Sequence, residues 1–415
     1  MKRFSEFFSR SKFNLFQNVF EKLFSFFLFL FAARKFSSDD YGELITILAL
    51  SFVIAAFFDF GLPVYFQREV SKSDLKIKSL YKTTLVFYLI LFPVYLGICV
   101  LYSYFFQSFA SYTLFLTVIS CAYVSLFVGL LSKISSGFLD FKSQFNFLLI
   151  SRSVFVAALL IFLLNPDIKI ELIGITLFTS YLINFLLLFF HIRKKHFAEL
   201  SGKINFALLY SAIKISIPLG IIVLVNLLYD RIDVLLISKI LNFSDTAKYN
   251  VAYGLFKAAT LSFSFILVEG FSKISAISNN IGQVKIFLRK YFKLILFISF
   301  ICSLILFLLP DFLVAFFYSS KYSQSGELLK FLSFALIPLA LNNLTGITLN
   351  GMGKFNYVLI SISAGLLINI VLNILFIPKY GVTAACFVTI ITEISILFFE
   401  SHFLFKALKT HHSSN

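Results

Sequence analysis

Twelve stretches of mostly apolar residues run through this chain, near 13–33, 43–66, 83–106, 112–132, 145–164, 172–192, 216–240, 251–272, 293–317, 328–350, 355–377 and 382–405. Each is about the 20 residues that a helix needs to cross the hydrocarbon core of a bilayer. The runs are continuous and lack the ten-residue alternation of a membrane barrel, so they point to helices, which satisfy every backbone group internally. Composition agrees: 59% of the residues are hydrophobic and 13% charged, and the mean hydropathy is +0.93, far from the balance of a soluble domain. The expected fold class is an all-α integral membrane protein with 12 transmembrane helices.

The spans fall six to each half, and the halves echo one another. FNFLLISRS, Phe145 to Ser153, returns 210 positions later as FNYVLISIS, Phe355 to Ser363, and each copy opens an apolar stretch that closes at a proline, Pro166 and Pro378. A second echo pairs FSSDDYG, ending at Tyr41 and Gly42, with FSDTAKYN around Tyr249. Two echoes near one offset indicate duplication. An even number of spans per half makes the repeats parallel, as in several secondary transporters. The expectation is a six-helix lobe over 1–205 and another over 206–415, around a central cavity.

Charge sets the orientation. With the N-terminus inside, 23 of the 36 Lys and Arg residues fall in inside segments and 8 in outside ones. The inside set includes Lys2, Arg3, Arg10, Lys12, Lys72, Lys82 and Arg193, and the outside set Arg34 and Lys35. Both termini are therefore expected in the cytoplasm. The net charge of +16 is then the charge of basic loops beside anionic headgroups and implies no nucleic-acid partner. Cys99, Cys121, Cys302 and Cys386 all sit in spans without CxxC spacing, so free packed thiols are expected, without disulfides or a zinc site. The lone Gly351-Met352-Gly353 makes no nucleotide site, and no metal or cofactor is expected.

Ionisable residues inside spans are costly and mark functional sites. In the first span Asn14, Asn18 and Glu21 share one helix stripe, beside Gln17 and Lys22, and that polar face is expected to look inward. The seventh span carries Tyr229, Asp230, Arg231 and Asp233, and Glu21 shifted by the repeat offset lands on Arg231. Such charges either line a substrate path or hold helices together. The second span of each half bears an acid at the equivalent place, Asp59 and Glu269, with Gly61 and Gly270 close by. These serve either ion coupling or a structural pair. Lys257, Arg152 and Lys214 are candidates for a cationic lining that receives a phosphate or acidic sugar. Tyr229, Tyr249 and Tyr253 offer rings for stacking on sugars, while most other tyrosines are expected in the interfacial belt. Glu393, midway along the last span, has no evident partner.

The stretches ARKFSSDDYGELITI, DFGLPVYFQREVSK, LYDRIDVLLISKI after Pro218, and KYNVAYGL, in this order and spacing, resemble the bacterial polysaccharide flippases of O-antigen type. These belong to the superfamily of multidrug, oligosaccharidyl-lipid and polysaccharide exporters. The resemblance covers nearly the whole chain. It implies a two-lobed inner-membrane transporter, without enzymatic chemistry, that carries an undecaprenyl-diphosphate-linked oligosaccharide for lipopolysaccharide or a related surface polysaccharide by alternating access. It also implies a polysaccharide polymerase machinery as partner. Carried onto this chain, it gives Arg231 and Asp233 in span seven, and Asp59 and Gly61 in span two. The expected cavity set is Arg231, Lys257, Arg152, Lys22, Tyr229, Tyr253 and Asn18, with Glu21, Asp59, Asp233 and Glu269 as coupling or structural charges. Two rivals stay open: an ion-coupled organic-cation antiporter of the same fold, using Glu21, Asp59 or Glu269, and a membrane polymerase or ligase, for which no large outer loop is present.

Overall fold

A computed structural model describes residues 2–70, 75–165, 167–197 and 203–410, with the side chains of 2–12, 14, 15, 18, 75, 265, 268, 269, 272 and 410 outside the description. Asn14, Asn18 and Glu269, with the cations Lys2, Arg3, Arg10, Lys12 and Lys72 and the proline Pro166, therefore lie outside the described residues. Sixteen α-helices make up nearly everything else: α1 (Lys2–Lys35), α2 (Ser38–Phe57), α3 (Leu62–Glu69), α4 (Leu75–Phe105), α5 (Tyr112–Gly137), α6 (Phe141–Leu164), α7 (Glu171–His196) and α8 (Phe206–Ile240) come first. They are followed by α9 (Phe243–Ala259), α10 (Leu261–Ile277), α11 (Ile281–Leu308), α12 (Pro310–Phe317), α13 (Gln324–Leu332), α14 (Leu336–Gly351), α15 (Phe355–Tyr380) and α16 (Val382–Thr410).

Ten helical stretches among the described residues are long and apolar enough to cross a membrane. The other two expected spans are helical as well. The first lies in α1, and the eighth is the pair α9 and α10, which meet at Thr260, whose amide turns to Lys257 O in an i→i−3 bond of 3.1 Å. Span two is also broken. Between α2 and α3, Phe60 and Gly61 take positive φ of 53° and 72°, and the Asp59 carboxylate accepts the Gly61 amide at 2.8 Å. Such a turn is open to glycine without steric cost. The repeat motifs each start a helix, α6 and α15, and the equivalent Ser151 and Ser361 are both fully buried. Pro378 closes the apolar stretch but does not stop the helix. α15 runs on to Tyr380 and ends where Gly381 adopts φ 63°.

The helix starts use ordinary chemistry. The side chains of Ser111, Asn242 and Asn280 accept the amides of Leu114, Asp245 and Gln283 at the heads of α5, α9 and α11, which satisfies one of the orphan donors at each terminus. Pro310 opens α12, where its missing N–H costs nothing.

The chain divides into two compact units, Met1–Phe36 with Thr46–Leu227, and Ser37–Ile45 with Leu228–Asn415. The halves expected from the sequence echoes were 1–205 and 206–415, whereas this division follows packing and falls inside α2 and α8. In the first unit α5 packs against α7 and α3, and α6 against α1 and α7. In the second, α16 packs against α14 and α15, and α13 against α9. Lipid gives no hydrophobic drive between helices, so close packing and interhelical hydrogen bonds hold them. Gly61 and Gly220 make one such close approach: a Cβ on either would run into the other's backbone.

Tyrosines carry much of this bonding. Tyr41, Tyr81, Tyr88, Tyr95, Tyr123, Tyr249, Tyr318 and Tyr322 are all fully buried. Tyr95 OH lies at 3.2 Å from Ser51 O and 3.0 Å from Ile119 O, and Tyr123 OH donates to Tyr88 O at 2.5 Å. A buried ring that ties a hydroxyl to a neighbouring helix carbonyl gains apolar packing and a bond together. Many Phe residues, Phe105, Phe297 and Phe398 among them, are exposed instead, as lipid-facing side chains are.

Candidate functional site

In the second unit, the four polar residues of α8 separate by helix phase. Positions 229 and 233, four apart, share a face, and 230 looks elsewhere. The 229/233 face turns to α9, α14, α15 and α16. Asp233, 7% exposed, accepts from Tyr249 OH at 2.8 Å and from Asn373 Nδ2 at 2.7 Å, with Thr389 Oγ1 at 3.4 Å. Asn373 Nδ2 also reaches Asn369 Oδ1 at 2.9 Å. Tyr229 OH donates to Glu393 Oε1 at 2.7 Å, and Asn342 Nδ2 to Glu393 Oε2 at 2.7 Å. Seven residues further along α16, buried Glu400 is hydrogen-bonded by Thr345. Each of these acids is bonded by neutral donors.

Asp230 faces α9. Its Oδ1 lies 2.6 Å from Lys257 Nζ and accepts from Tyr253 OH at 3.2 Å, while its Oδ2 stands 3.5 Å from Arg231 Nε. Lys257 Nζ sits 5.2 Å from the centroid of the Tyr253 ring, which stacks on Tyr249 at 5.5 Å. Asp230, Arg231 and Lys257 keep about a third of their side-chain surface exposed, unlike Asp233 behind them. One carboxylate shared by two cations leaves the cluster with a net positive charge, next to an aromatic face. That combination suits a phosphate and a sugar.

The first unit has its own polar group. Arg152 on α6 is 3% exposed and donates from Nη1 to Ser180 Oγ at 2.9 Å. Its guanidinium lies 4.7 Å from the ring of Phe24 and 4.1 Å from that of Tyr181, a cation–π sandwich. Glu21 on α1 is within electrostatic reach of Arg152 and is hydrogen-bonded by Gln17. Lys22 is exposed. Asp59 is occupied with the Gly61 amide of the α2–α3 turn. At the head of α6, Asp140 Oδ2 meets Lys195 Nζ at 2.7 Å and His191 Nε2 at 2.8 Å. Burial alone would raise the Asp140 carboxyl, but hydrogen bonds from Lys195 and His191 win and hold it well below the usual carboxylate range.

The structure thus gathers Arg231, Lys257 and Tyr253 into one cluster, sets Tyr229 against buried Glu393 and Asp233 against neutral donors behind it, and puts Arg152 and Glu21 together in the other unit. Sequence reasoning named Asp230 without seeing that it joins the two cations. It also missed Asn342, Asn373, Thr389 and Glu400. The available signal was polar residues one turn apart in otherwise apolar spans, Asn369 with Asn373 and Asn342 with Thr345.

Long apolar helices with charges buried among them define a multi-pass membrane protein. The solved structures agree on the fold. The lipid II flippase MurJ in an inward closed conformation superposes with a TM-score of 0.75 at 17% identity, covering 95% of this chain and 88% of that one. An inward-facing multidrug resistance MATE transporter of the MOP superfamily gives 0.71 at 11% identity, covering 95% and 96%. The chain belongs to the polysaccharide biosynthesis protein family, whose profile matches residues 12–269, more than half of its length. A MatE profile matches residues 218–375. Among curated proteins, an uncharacterized membrane protein of Methanocaldococcus jannaschii is 29% identical over 100 residues, 24% of this chain and 20% of that protein. The chain therefore matches about a fifth of that relative's length.

Proposed function

We propose that the protein is a flippase that carries an undecaprenyl-diphosphate-linked oligosaccharide, the repeat unit of a surface polysaccharide such as O-antigen, across the bacterial cytoplasmic membrane by alternating access. In this reading both termini are cytoplasmic, no covalent chemistry is involved, and a polysaccharide polymerase machinery takes the product. The observation that carries it is the partly exposed cluster of Arg231, Lys257, Asp230 and Tyr253. It offers two cations to a diphosphate and an aromatic face to a sugar, in a chain whose family is named for polysaccharide biosynthesis. Arg231 and Lys257 contact the diphosphate, and Tyr253 the glycan. Tyr229 supports the cluster from behind through Glu393. Lys22, Asn18 and Arg152 serve the cavity side of the first unit, and Glu21, Asp59, Asp233 and Glu269 are the coupling or structural charges.

The second reading, an organic-cation antiporter, draws on the MatE match over 218–375 and on buried Asp233. One experiment separates them. The protein is reconstituted in liposomes with a fluorescent undecaprenyl-diphosphate oligosaccharide, and exposure of the glycan to an impermeant hydrolase is followed. Crossing that depends on the protein, falls at least ten-fold in Arg231→Ala, and survives in part in Lys257→Arg is the expected result. Absence of crossing with several glycans, alongside ion-driven uptake of an organic cation, rejects the flippase.

A further inference from the structure

The first unit contains two apolar grooves of about 660 Å³ each. One lies among α4, α5 and α7 and is lined by Leu89, Phe92, Phe127, Phe185 and Phe189, with Lys82 at one end. The other lies between α1 and α6, lined by Phe20, Phe24, Phe27, Leu160 and Leu163, with Arg34 and Lys35 at one end. Neither Lys82 nor Lys35 has an ion-pair partner among the described residues. The topology expected from the sequence puts these cations on opposite faces of the membrane. Lys35 ends α1 and Lys82 lies in the first turns of α4, and the chain crosses once between them, through α2 and α3.

Depth fits this arrangement. From Lys82 to Phe92 is ten residues, about 15 Å of helix, which is one leaflet of a core about 30 Å thick. From Phe20 to Arg34 is fourteen residues, about 21 Å, reaching somewhat past mid-membrane. Each groove is thus a leaflet-deep apolar trough with positive charge where a headgroup would sit. Lysines near helix ends also snorkel with no ligand, but snorkelling gives no reason for the cation of each trough to mark a different face.

We propose that the two grooves hold the isoprenoid tail of a polyprenyl diphosphate lipid, the α4–α5–α7 groove when the diphosphate is on the Lys82 face and the α1–α6 groove when it is on the Arg34/Lys35 face. Lys82 binds the diphosphate before transfer and Lys35 after it. Lys78, one turn from Lys82 on α4, and Arg193, within electrostatic reach of Tyr81, add positive charge on the first face. The inference rests on the flippase reading and adds to it where the tail, as distinct from the glycan, is held. It also orders the cycle, because the tail changes groove when the headgroup changes leaflet.

The test uses the full chain in phosphatidylcholine liposomes with undecaprenyl diphosphate bearing a photoreactive group on its tail, and labelled peptides are mapped by mass spectrometry. Adducts are expected in both grooves, removed by excess unlabelled undecaprenyl diphosphate and retained against equal phosphatidylglycerol. Lys82→Gln lowers labelling of the first groove at least three-fold and leaves the second; Lys35→Gln does the reverse, so each variant carries its own folding control. Displacement by phosphatidylglycerol to the same extent, or labelling indifferent to both substitutions, overturns the proposal and makes the grooves ordinary lipid-facing surface. Glycan crossing is measured in parallel. Crossing without adducts in either groove rejects the grooves and spares the flippase, whereas adducts obeying the lysine pattern without crossing uphold lipid docking and reject the flippase.

Discussion

Asp233→Ala is the most informative perturbation of the second unit. It removes the acceptor of Tyr249 OH and Asn373 Nδ2, both on fully buried side chains. A buried donor left without a partner costs about 1–3 kcal/mol, so two of them cost about 2–6 kcal/mol. Two facts reduce this. Tyr249 OH can turn to Thr389 Oγ1, 3.4 Å away, and interhelical bonds in bilayers measure lower than in water because the unfolded reference also finds partners. The expected loss is therefore about 2–4 kcal/mol, and about half that for Asp233→Asn, which keeps one acceptor oxygen. The assay is reversible unfolding in mixed micelles of increasing SDS fraction, read by thiol-dye labelling of Cys386, which is fully buried and feels the Asp233 charge. A double-mutant cycle with Tyr249→Phe isolates their bond. A loss below about 0.5 kcal/mol for Asp233→Ala, where two stranded donors set the expectation, refutes the reasoning. It would mean that water or another polar group already serves these donors.

Two further outcomes follow from the first unit. Gly61→Ala forces a Cβ into the Ser216 carbonyl and the Gly220 amide at a φ of 72°; a loss of about 2 kcal/mol or more is expected on the same SDS scale, since positive φ alone costs about 1, and an unchanged midpoint would show that the turn is free to rearrange. Asp140→Asn lowers the thermal midpoint at pH 7. Because the folded carboxyl is held low, its contribution is present above the unfolded value near 3.9 and fades as pH falls below about 4 toward the folded one; wild type and variant should thus differ at pH 7 and 5 and draw together below 4, and a constant gap across this range would assign the effect to packing.

The spans were legible because hydropathy over twenty residues integrates a large signal. The breaks were not. In the apolar run 43–66 the marks against a continuous helix are Asp59, Gly61 and Pro63 within five residues, which fit a kink as well as a break, and the turn there depends on a carboxylate folding back to an amide two residues on. Thr260 sits in a run of helix-compatible residues, and its i→i−3 bond leaves no compositional trace. In the site, the seventh-span charges were visible, but their partners depended on helix rotation. Lys257 meets Asp230 because α8 and α9 face each other at those turns, and Glu393 meets Tyr229 across 164 residues of chain. Which tyrosines serve as buried cross-links was not legible, because a place at the interface and a buried cross-link begin from the same amphipathic ring, and only the neighbouring carbonyl decides between them.

Asp230 has a consequence for turnover. Any anion drawn to Lys257 and Arg231 must displace a carboxylate already seated on them, so capture is an exchange of counter-ions rather than the filling of a bare charge. An exchange site binds less tightly than a vacant one, and it carries its own means of release. When the visitor loosens, the resident acid 2.6 Å from Lys257 Nζ reclaims the lysine and expels it. A carrier must let go as readily as it grips, and under the proposed function the side chain that weakens the hold on cargo would also speed the return to the empty state.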